Sequence, residues 1–359
     1  MRVAILADAA SIHTQRWVKA LSRQGLTIEV YSERRWANSP VPIYYLPPSR
    51  RARLQVPAAI RTLRRHLKRF QPDLVHAHYA SHWGLYGALS GVRPLIVSIW
   101  GADVEVFGHQ HKALNGRVLK YIFSKAGAIT ASSQYLARVS GQFTDRPIEV
   151  IPFGIDMTRF IDSPRNKGIE LRWIVNKALE PVYGIDVVLK AFSLLDARGL
   201  SSWRGRILGS GSDHDQLIRQ CVQAGISDRV EFLGQVDEDD LPGALGWADV
   251  GLYASRRESF GVAALELMAM GRAVVAHRVG GLAEVVDPDR TGLLVEENVP
   301  HRWAEILEPL VKDPATIRQL GANGPEWVNS RYNFKDNVEQ MLALYSEVAK
   351  KGDSQWTSL

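Results

Sequence analysis

The 359-residue sequence has almost no cysteine and no long apolar run. Cys221 is the only cysteine, so no disulfide can form within the chain, and we expect a reducing, cytoplasmic location. The apolar run near the start, "VAILA", is shorter than a signal-peptide core. No later stretch approaches the roughly 18 apolar residues of a membrane span. The composition, 46% hydrophobic and 23% charged, is typical of a globular protein, and the length of the chain suggests two domains.

Glycine is missing from the places where a dinucleotide-binding enzyme needs it. The turn after the first predicted strand, "DAASIHT", has none, and "GSGSDH" begins as G-x-G but lacks the third glycine. This argues against a nicotinamide enzyme. Serine-hydrolase and zinc-site patterns are also absent, and the sequence shows no basic and aromatic nucleic-acid module, so we expect no nucleic-acid partner.

Acidic residues are scarce in the first half of the chain. Residues 1–155 carry a net charge of +13, whereas the remaining residues carry −7. The densest basic segment, residues 49–70, has eight Arg and Lys and no acid, and its second half has the spacing of an amphipathic helix. Peripheral contact with an anionic membrane and a solvated helix packed on a sheet are both consistent with this pattern.

Short apolar runs alternate with helical patterns along the whole chain, which predicts parallel α/β sheets. The alternation stops in the Pro-, Gly- and Asp-containing segment "EVIPFGIDMTRFIDSPRN" and then restarts. We therefore predict an N-terminal domain over residues 1–157 and a C-terminal domain over 158–335. Residues 336–359 are expected to form a final helix and a loose tail.

The segment "ESFGVAALE" places two carboxylates, Glu258 and Glu266, eight positions apart. If a helix starts near Gly261, the backbone N–H groups at its start favour a phosphate. A helical separation of eight residues is about 12 Å, too far for one carboxylate to assist the other. The two glutamates are better suited to opposite ends of one elongated ligand. Each glutamate also has an alternative that involves no function. In the first, Glu258 forms an ion pair with the preceding arginines. In the second, Glu266 bonds to a neighbouring backbone or arginine group.

The segment "ASRRESFGVAALELMAMGRAVVAHRVGGLAEVV" resembles the signature of retaining glycosyltransferases of family 4. The segments "DLVHAHYASHWGLYGA", "VIPFGIDMTRF", "LEPVYGIDVVLKAF" and "DRVEFLGQVDEDDLP" resemble that family in the same order, so the resemblance covers nearly the whole chain. It implies an α/β GT-B fold, in which two Rossmann-like domains with parallel sheets face each other across a cleft. The C-terminal helix is then expected to pack back toward the N-domain.

The resemblance also implies roles for individual residues. Glu258 is expected to contact donor-sugar hydroxyls, Glu266 the ribose, and the neighbouring amides the diphosphate. The other implied donor-binding residues are Ser259, Phe260, Gly261, Val262, Val236, Gly209 and Tyr183.

The chain departs from the family pattern at several positions. Lys177 stands where an Arg is usual on the diphosphate, and Tyr183 stands near the usual position of a Lys, so one cation remains where two are common. Trp100 occupies the position of a His in the cleft. His13 and Asp103 are therefore the polar candidates for acceptor contact and catalysis, although His13 is equally suited to capping its helix.

The sequence predicts no metal site. His76 and His78 have i, i+2 spacing on one strand face, but no third ligand is evident, so histidines lining the cleft are the favoured interpretation. We expect a metal-independent retaining enzyme without a cofactor, which moves a sugar from a nucleoside diphosphate sugar, by default a UDP-sugar, to a saccharide or lipid-linked acceptor in polysaccharide or glycolipid biosynthesis. A GT-B epimerase or phosphorylase and a catalytically weak glycosyltransferase-like binding protein remain open as alternatives.

Overall fold

The computed structural model describes residues 1–47, 56–108, 110, 112–162, 164, 168–288 and 290–351. These residues form two compact units. The first contains Met1–Phe153 together with the described residues from Lys335 on, and the second is Gly154–Phe334. Among the described residues, no helix combines the length and the apolar character needed to cross a membrane.

The first unit is built on a seven-stranded parallel sheet. Its strands are Arg2–Leu6 (β1), Thr27–Ser32 (β2), Ile43–Tyr45 (β3), Leu74–His78 (β4), Leu95–Ile99 (β5), Ala128–Ala131 (β6) and Glu149–Val150 (β7). The spatial order is β3-β2-β1-β4-β5-β6-β7. Central β1 pairs Ile5 with Val30 of β2 and with His76 of β4. The strands are mostly apolar because helices cover both faces of such a sheet.

In the described part of this unit, six helices alternate with these strands. They are Ile12–Ser22 (α1), Val56–Phe70 (α2), His82–Ser90 (α3), Ala102–Glu105 (α4), Lys112–Lys125 (α5) and Gln134–Ser140 (α6). The described part of the basic segment is α2, which buries Ala59, Ile60, Leu63 and Leu67. Residues 49–55 of that segment lie outside the described residues.

The second unit repeats the same construction with six parallel strands. They are Leu171–Asn176 (β8), Trp203–Leu208 (β9), Val230–Gly234 (β10), Val250–Tyr253 (β11), Ala273–His277 (β12) and Gly292–Val295 (β13), in the order β10-β9-β8-β11-β12-β13. The helices are Ile185–Ala197 (α7), His214–Gln223 (α8), Leu241–Gly246 (α9), Val262–Ala269 (α10), Leu282–Val285 (α11), Pro300–Lys312 (α12), Pro314–Gly321 (α13) and Gly324–Tyr332 (α14).

Three aromatic side chains pack against one another in the second core. Phe192 of α7 stacks on Trp173 of β8 with ring centroids 4.8 Å apart, and Trp203 of β9 lies 4.6 Å from Phe192 and 6.2 Å from Trp173 by the same measure. A Cβ atom at Gly205 would lie 2.0 Å from Trp173 Cζ2, so only glycine leaves room for this ring. The cluster fixes β8 and β9, and Lys177 follows the end of β8.

Phe334–Lys351 (α15) is the last described helix, and from Lys335 on it belongs to the first unit. Its Tyr345 hydroxyl lies 2.6 Å from Nδ1 of His76 on β4, and Asn337 donates to the carbonyl of Pro152 at 3.0 Å. The expectation that the C-terminal helix packs on the N-domain is confirmed. The expected loose tail, residues 352–359, lies outside the described residues.

Candidate functional site

The second sheet has its topological switch point between β8 and β11. The chain runs from β8 outward through β9 and β10, then returns to the other side of β8 and continues through β11, β12 and β13. In open parallel sheets, ligands bind at such a point, outside the carboxyl ends of the strands. Lys177 follows β8 directly, and Glu258 follows β11 in the loop that leads to α10.

Lys177 and Glu258 form an ion pair at this point. Lys177 Nζ lies 2.6 Å from Glu258 Oε2, and the two side chains are 12% and 14% exposed. The alternative in which Glu258 pairs with Arg256 does not apply, because Arg256 instead pairs with Asp186 at 3.0 Å. The carboxylate of Glu258 is therefore turned toward the switch point.

Two tyrosine rings lie beside the Lys177 ammonium. Its Nζ is 5.1 Å from the ring centroid of Tyr183 and 5.7 Å from that of Tyr253. The Tyr253 hydroxyl lies 2.5 Å from Asn176 Oδ1 and 2.8 Å from the carbonyl of Ala263. Burial, and then the charges of Glu266 and Glu258, raise the pKa of Tyr253 well above its usual value. Tyr253 is thus a neutral phenol close to both glutamates.

The predicted helix start is present. α10 begins at Val262, after Gly261 with φ of +113°, a conformation that favours glycine. The loop before it is held by Gly281, whose N–H donates to the carbonyl of Glu258 at 2.8 Å. A Cβ atom at Gly281 would lie 2.3 Å from Phe260 Cα. Close approach of this glycine therefore sets the backbone from Glu258 to Phe260.

The remaining predicted donor-binding residues follow strands of the same sheet or lie in α10. Gly209 follows β9 with φ of +130°, and a Cβ there would lie 2.1 Å from the Lys177 carbonyl oxygen. Ser259 and Val262 are half-buried at the start of α10, Glu266 is half-buried within that helix, and Val236 is half-buried two residues after β10. The close approach of Gly209 thus constrains the backbone of Lys177.

Sequence reasoning missed the polar groups that hold the loop after β11. His277, the last residue of β12, donates from Nδ1 to the carbonyl of Ser255 at 2.8 Å. Asn298 donates to the carbonyl of Ala254 at 2.7 Å and accepts from Trp303 Nε1 at 2.9 Å. A polar residue at the end of a strand is the signal that identifies His277.

In the first unit, His13 belongs to an aromatic cluster at the ends of the strands. Its ring stacks on Phe153 with centroids 4.3 Å apart. Trp100, at the end of β5, lies 5.1 Å from Phe153 and 4.3 Å from His78 by the same measure. Trp100 thus fills this edge with apolar ring surface.

Asp103 is buried and holds the turn that contains Trp100. Its carboxylate accepts from the backbone N–H groups of Ala80 at 2.7 Å, Gly101 at 2.8 Å and Trp100 at 3.3 Å. Burial raises the pKa of Asp103 to about 6, and these hydrogen bonds oppose the shift. The geometry gives Asp103 a positioning task in the loop, and its contact with an acceptor stays a prediction.

The two histidines of β4 are buried, so the expectation that they line a cleft is wrong. The Nε2 atom of His76 lies 2.7 Å from Ser98 Oγ, in addition to the contact of Nδ1 with Tyr345. Burial lowers the pKa of His76 to about 3 and that of His78 well below its usual value. In the part of the chain that the structure describes, no three His, Cys, Asp or Glu residues are grouped to hold a metal ion.

Two family models match the chain. The model described as "Glycosyl transferases group 1" matches residues 160–327, and "Glycosyl transferase 4-like" matches residues 2–133. An uncharacterized glycosyltransferase of Methanocaldococcus jannaschii is 26% identical, over 77% of this chain and 76% of that protein. The D-inositol 3-phosphate glycosyltransferase of Arthrobacter sp. (strain FB24) is 27% identical, over 88% and 84%.

Solved structures show the same fold. Sucrose-phosphate synthase from Thermosynechococcus elongatus superposes with a TM-score of 0.83 and 20% identity, over 98% of this chain and 100% of that chain. HepE of Anabaena, solved in complex with UDP-glucose, gives a TM-score of 0.81 and 19% identity over 97% and 100%. The predicted α/β GT-B fold class, with two parallel-sheet Rossmann-like domains, is confirmed.

The close contact at Gly281 gives a testable stability difference. We expect Gly281→Ala to lower the free energy of unfolding by about 2 kcal/mol, because the added methyl meets backbone atoms that must move. Gly243→Ala is the matched control, since a Cβ there meets nothing within 4 Å. Urea unfolding of both variants checks this, and equal midpoints would contradict the packing described for Gly281.

Proposed function

We propose that this chain is a GT-B glycosyltransferase, because glycosyltransferase family models match residues 160–327 and 2–133, and that it moves a sugar from a nucleoside diphosphate sugar to an acceptor hydroxyl with retention of configuration. The observation that carries this proposal is the Lys177–Glu258 pair at the switch point, next to the start of α10. A cation, a carboxylate and a helix start at one place suit a ligand that joins a diphosphate to a sugar.

In the proposed complex, each group meets the part of the donor that its chemistry fits. The Lys177 ammonium and the amides of residues 259–262 would bind the diphosphate and stabilise the charge that develops on it. Glu258 would exchange its bond with Lys177 for bonds from sugar hydroxyls. Glu266, farther along α10, would accept from the ribose hydroxyls. We take a UDP-sugar as the donor to test first, because HepE, of the same fold, was solved with UDP-glucose.

The chemistry of the proposed step requires no protein base. The leaving phosphate oxygen would take the proton of the acceptor hydroxyl as the bond from the sugar to the diphosphate breaks and the new glycosidic bond forms on the same face. The protein then contributes by positioning and by charge stabilisation. This agrees with the surroundings of Lys177, which contain a neutral phenol and an ion pair.

Nucleotide binding tests the donor site directly. We expect UDP, in a panel with GDP, ADP and their sugars, to raise the melting temperature by several degrees, because a ligand at 100 times its Kd adds about 2.7 kcal/mol to the native state. Lys177→Ala should lose most of this shift. Lys190→Ala, an exposed residue of α7, should keep it. No shift with any nucleotide would contradict the proposal.

The product tests the reaction. We expect NMR of the transfer product, formed in excess EDTA, to show the anomeric configuration of the donor, with the rate unchanged when Mg²⁺ is added. Glu258→Ala should lower kcat by about 100-fold or more, since it removes a contact to the reacting sugar. An inverted product, or a reaction that stops in EDTA and resumes with Mg²⁺ or Mn²⁺, would refute retention or metal independence respectively.

We also propose that α2 brings the enzyme to an anionic membrane surface near a lipid-linked or saccharide acceptor. Its exposed face carries Arg61, Arg65 and Lys68. Arg64 has a structural role, since its guanidinium donates to the carbonyls of Leu89 and Ser90 at 2.7 and 3.1 Å. The helix thus combines a packed side with a solvent-facing row of cations.

Vesicle binding tests this surface. Replacing Arg61, Arg65 and Lys68 with Gln should weaken binding to anionic vesicles at low salt by about 100-fold, as each cation contributes about 1 kcal/mol. The charge-matched control replaces three exposed cations of α8 and α12 in the second unit, Arg219, Arg302 and Lys312. Equal losses in the two variants, or no wild-type binding, would contradict a specific role of α2.

A further inference from the structure

The Lys177 ammonium is held on three sides. Glu258 accepts from it at 2.6 Å, and the rings of Tyr183 and Tyr253 lie 5.1 and 5.7 Å from Nζ to their centroids. Both distances are within the reach of a cation–π interaction, which strengthens when the cation is screened from water. The side chain of Lys177 is only 12% exposed, so the two rings replace much of its hydration.

Both rings are fixed by their own elements. Tyr183 ends a 3₁₀ turn, Pro181–Tyr183, and the turn is fastened to the loop after β11 by the Arg256 N–H, which donates to the carbonyl of Val182 at 2.7 Å. Gly184 follows with φ of +64°, and a Cβ there would lie 2.0 Å from the Ala254 carbonyl oxygen. The Tyr183 ring is therefore carried by a turn that only glycine allows to pack so closely.

Glu258 and the rings differ in what a ligand does to them. In the proposed complex Glu258 is drawn into bonds with sugar hydroxyls, which weakens its hold on Lys177. An aromatic face has no such competing partner. Lysine is a compact charge on a flexible four-carbon stem, so its ammonium needs an anchor other than Glu258 in the interval before the diphosphate binds it.

We propose that Tyr183 is a positioning residue, whose ring holds the Lys177 ammonium at the switch point while Glu258 releases Lys177 and binds the ligand. This proposal rests on the proposed function for its role in the reaction. The geometry itself exists in the free protein. The interaction depends on the negative face of the ring, so the hydroxyl of Tyr183 is not required.

The ligand-free test is the labelling rate of Lys177 by an amine-reactive ester, followed by mass spectrometry. Tyr183→Phe should label as slowly as the wild type, whereas Tyr183→Leu should label about three- to tenfold faster. Lys335, with a side chain 81% exposed, is the internal reference in each sample. Tyr121→Leu is the matched control, because it removes a ring 5.6 Å from another ammonium, that of Lys125 in the first unit.

A second readout separates ring electrostatics from ring shape. Phenylalanine analogues with increasing numbers of ring fluorines, placed at position 183, keep the shape and remove the negative face. We expect the Lys177 labelling rate and the Kd for UDP to rise together with fluorination, and kcat/KM to fall mainly through KM. Tyr183→Leu should raise the Kd by about tenfold, and Tyr183→Phe by less than twofold.

Three results would overturn the proposal. The first is a Lys177 labelling rate in Tyr183→Leu equal to that of the wild type, and the second is a labelling rate that does not change with fluorination. The third is an increase in labelling rate and in Kd for UDP that is as large in Tyr183→Phe as in Tyr183→Leu. The last would assign the effect to the hydroxyl. Failure of wild-type UDP binding with the labelling pattern intact would instead refute the proposed donor and leave the ring contact standing. Equal melting temperatures of the variants exclude misfolding as the cause.

Discussion

The ion pair of Lys177 and Glu258 is the contact around which the second unit is organised. It joins the loops after β8 and β11, the two strands between which the chain reverses its direction of travel across the sheet. A half-buried charge pair is stable only where its geometry is enforced, because both ions have lost most of their water. The loops around the pair hold it in this geometry. Gly209 and Gly281 bring backbone to within van der Waals contact of Lys177 and Phe260, and His277 and Asn298 bond the carbonyls of the loop after β11.

The first unit places different chemistry at the carboxyl ends of its strands. Asp103 there is bound by backbone amides and lies beside a cluster of rings, His13, Trp100, Phe153 and His78. Other charged groups follow β1 and β2, where Arg34 pairs with Asp8 at 3.1 Å and Glu33 lies 3.0 Å from His82. Burial keeps His78 neutral because its pKa is well below the usual value. The packing around Trp100 is therefore mainly between rings, in contrast to the ion pair of the Lys177 site.

The strands and helices were predictable because both units alternate buried strands with amphipathic helices, and the start of α10 after Gly261 followed from the same pattern. The partner of Glu258 was not predictable. Arg256 is two residues away and Lys177 is 81, and only the sheet order, which places β8 beside β11, decides between them. His76 shows the same limit: its spacing to His78 suggested an exposed strand end, but Tyr345 of α15 covers it. Long-range packing determined each of these contacts, and local patterns contain no information about it.

The charge asymmetry of the sequence can now be assigned to particular surfaces. The excess of basic residues in the first half includes the solvent-facing row of α2, whereas the cluster around Trp100 consists of rings, among them His78, whose pKa burial lowers well below its usual value. On the proposed function, α2 would attract an anionic surface, and electrostatic attraction acts over about a Debye length and needs no precise geometry. Trp100, Phe153 and His78, in contrast, are buried, so their ring contacts act within the unit and only at close range. Recruitment to a surface would therefore depend on the basic helix, whereas these rings hold the loops at the strand ends.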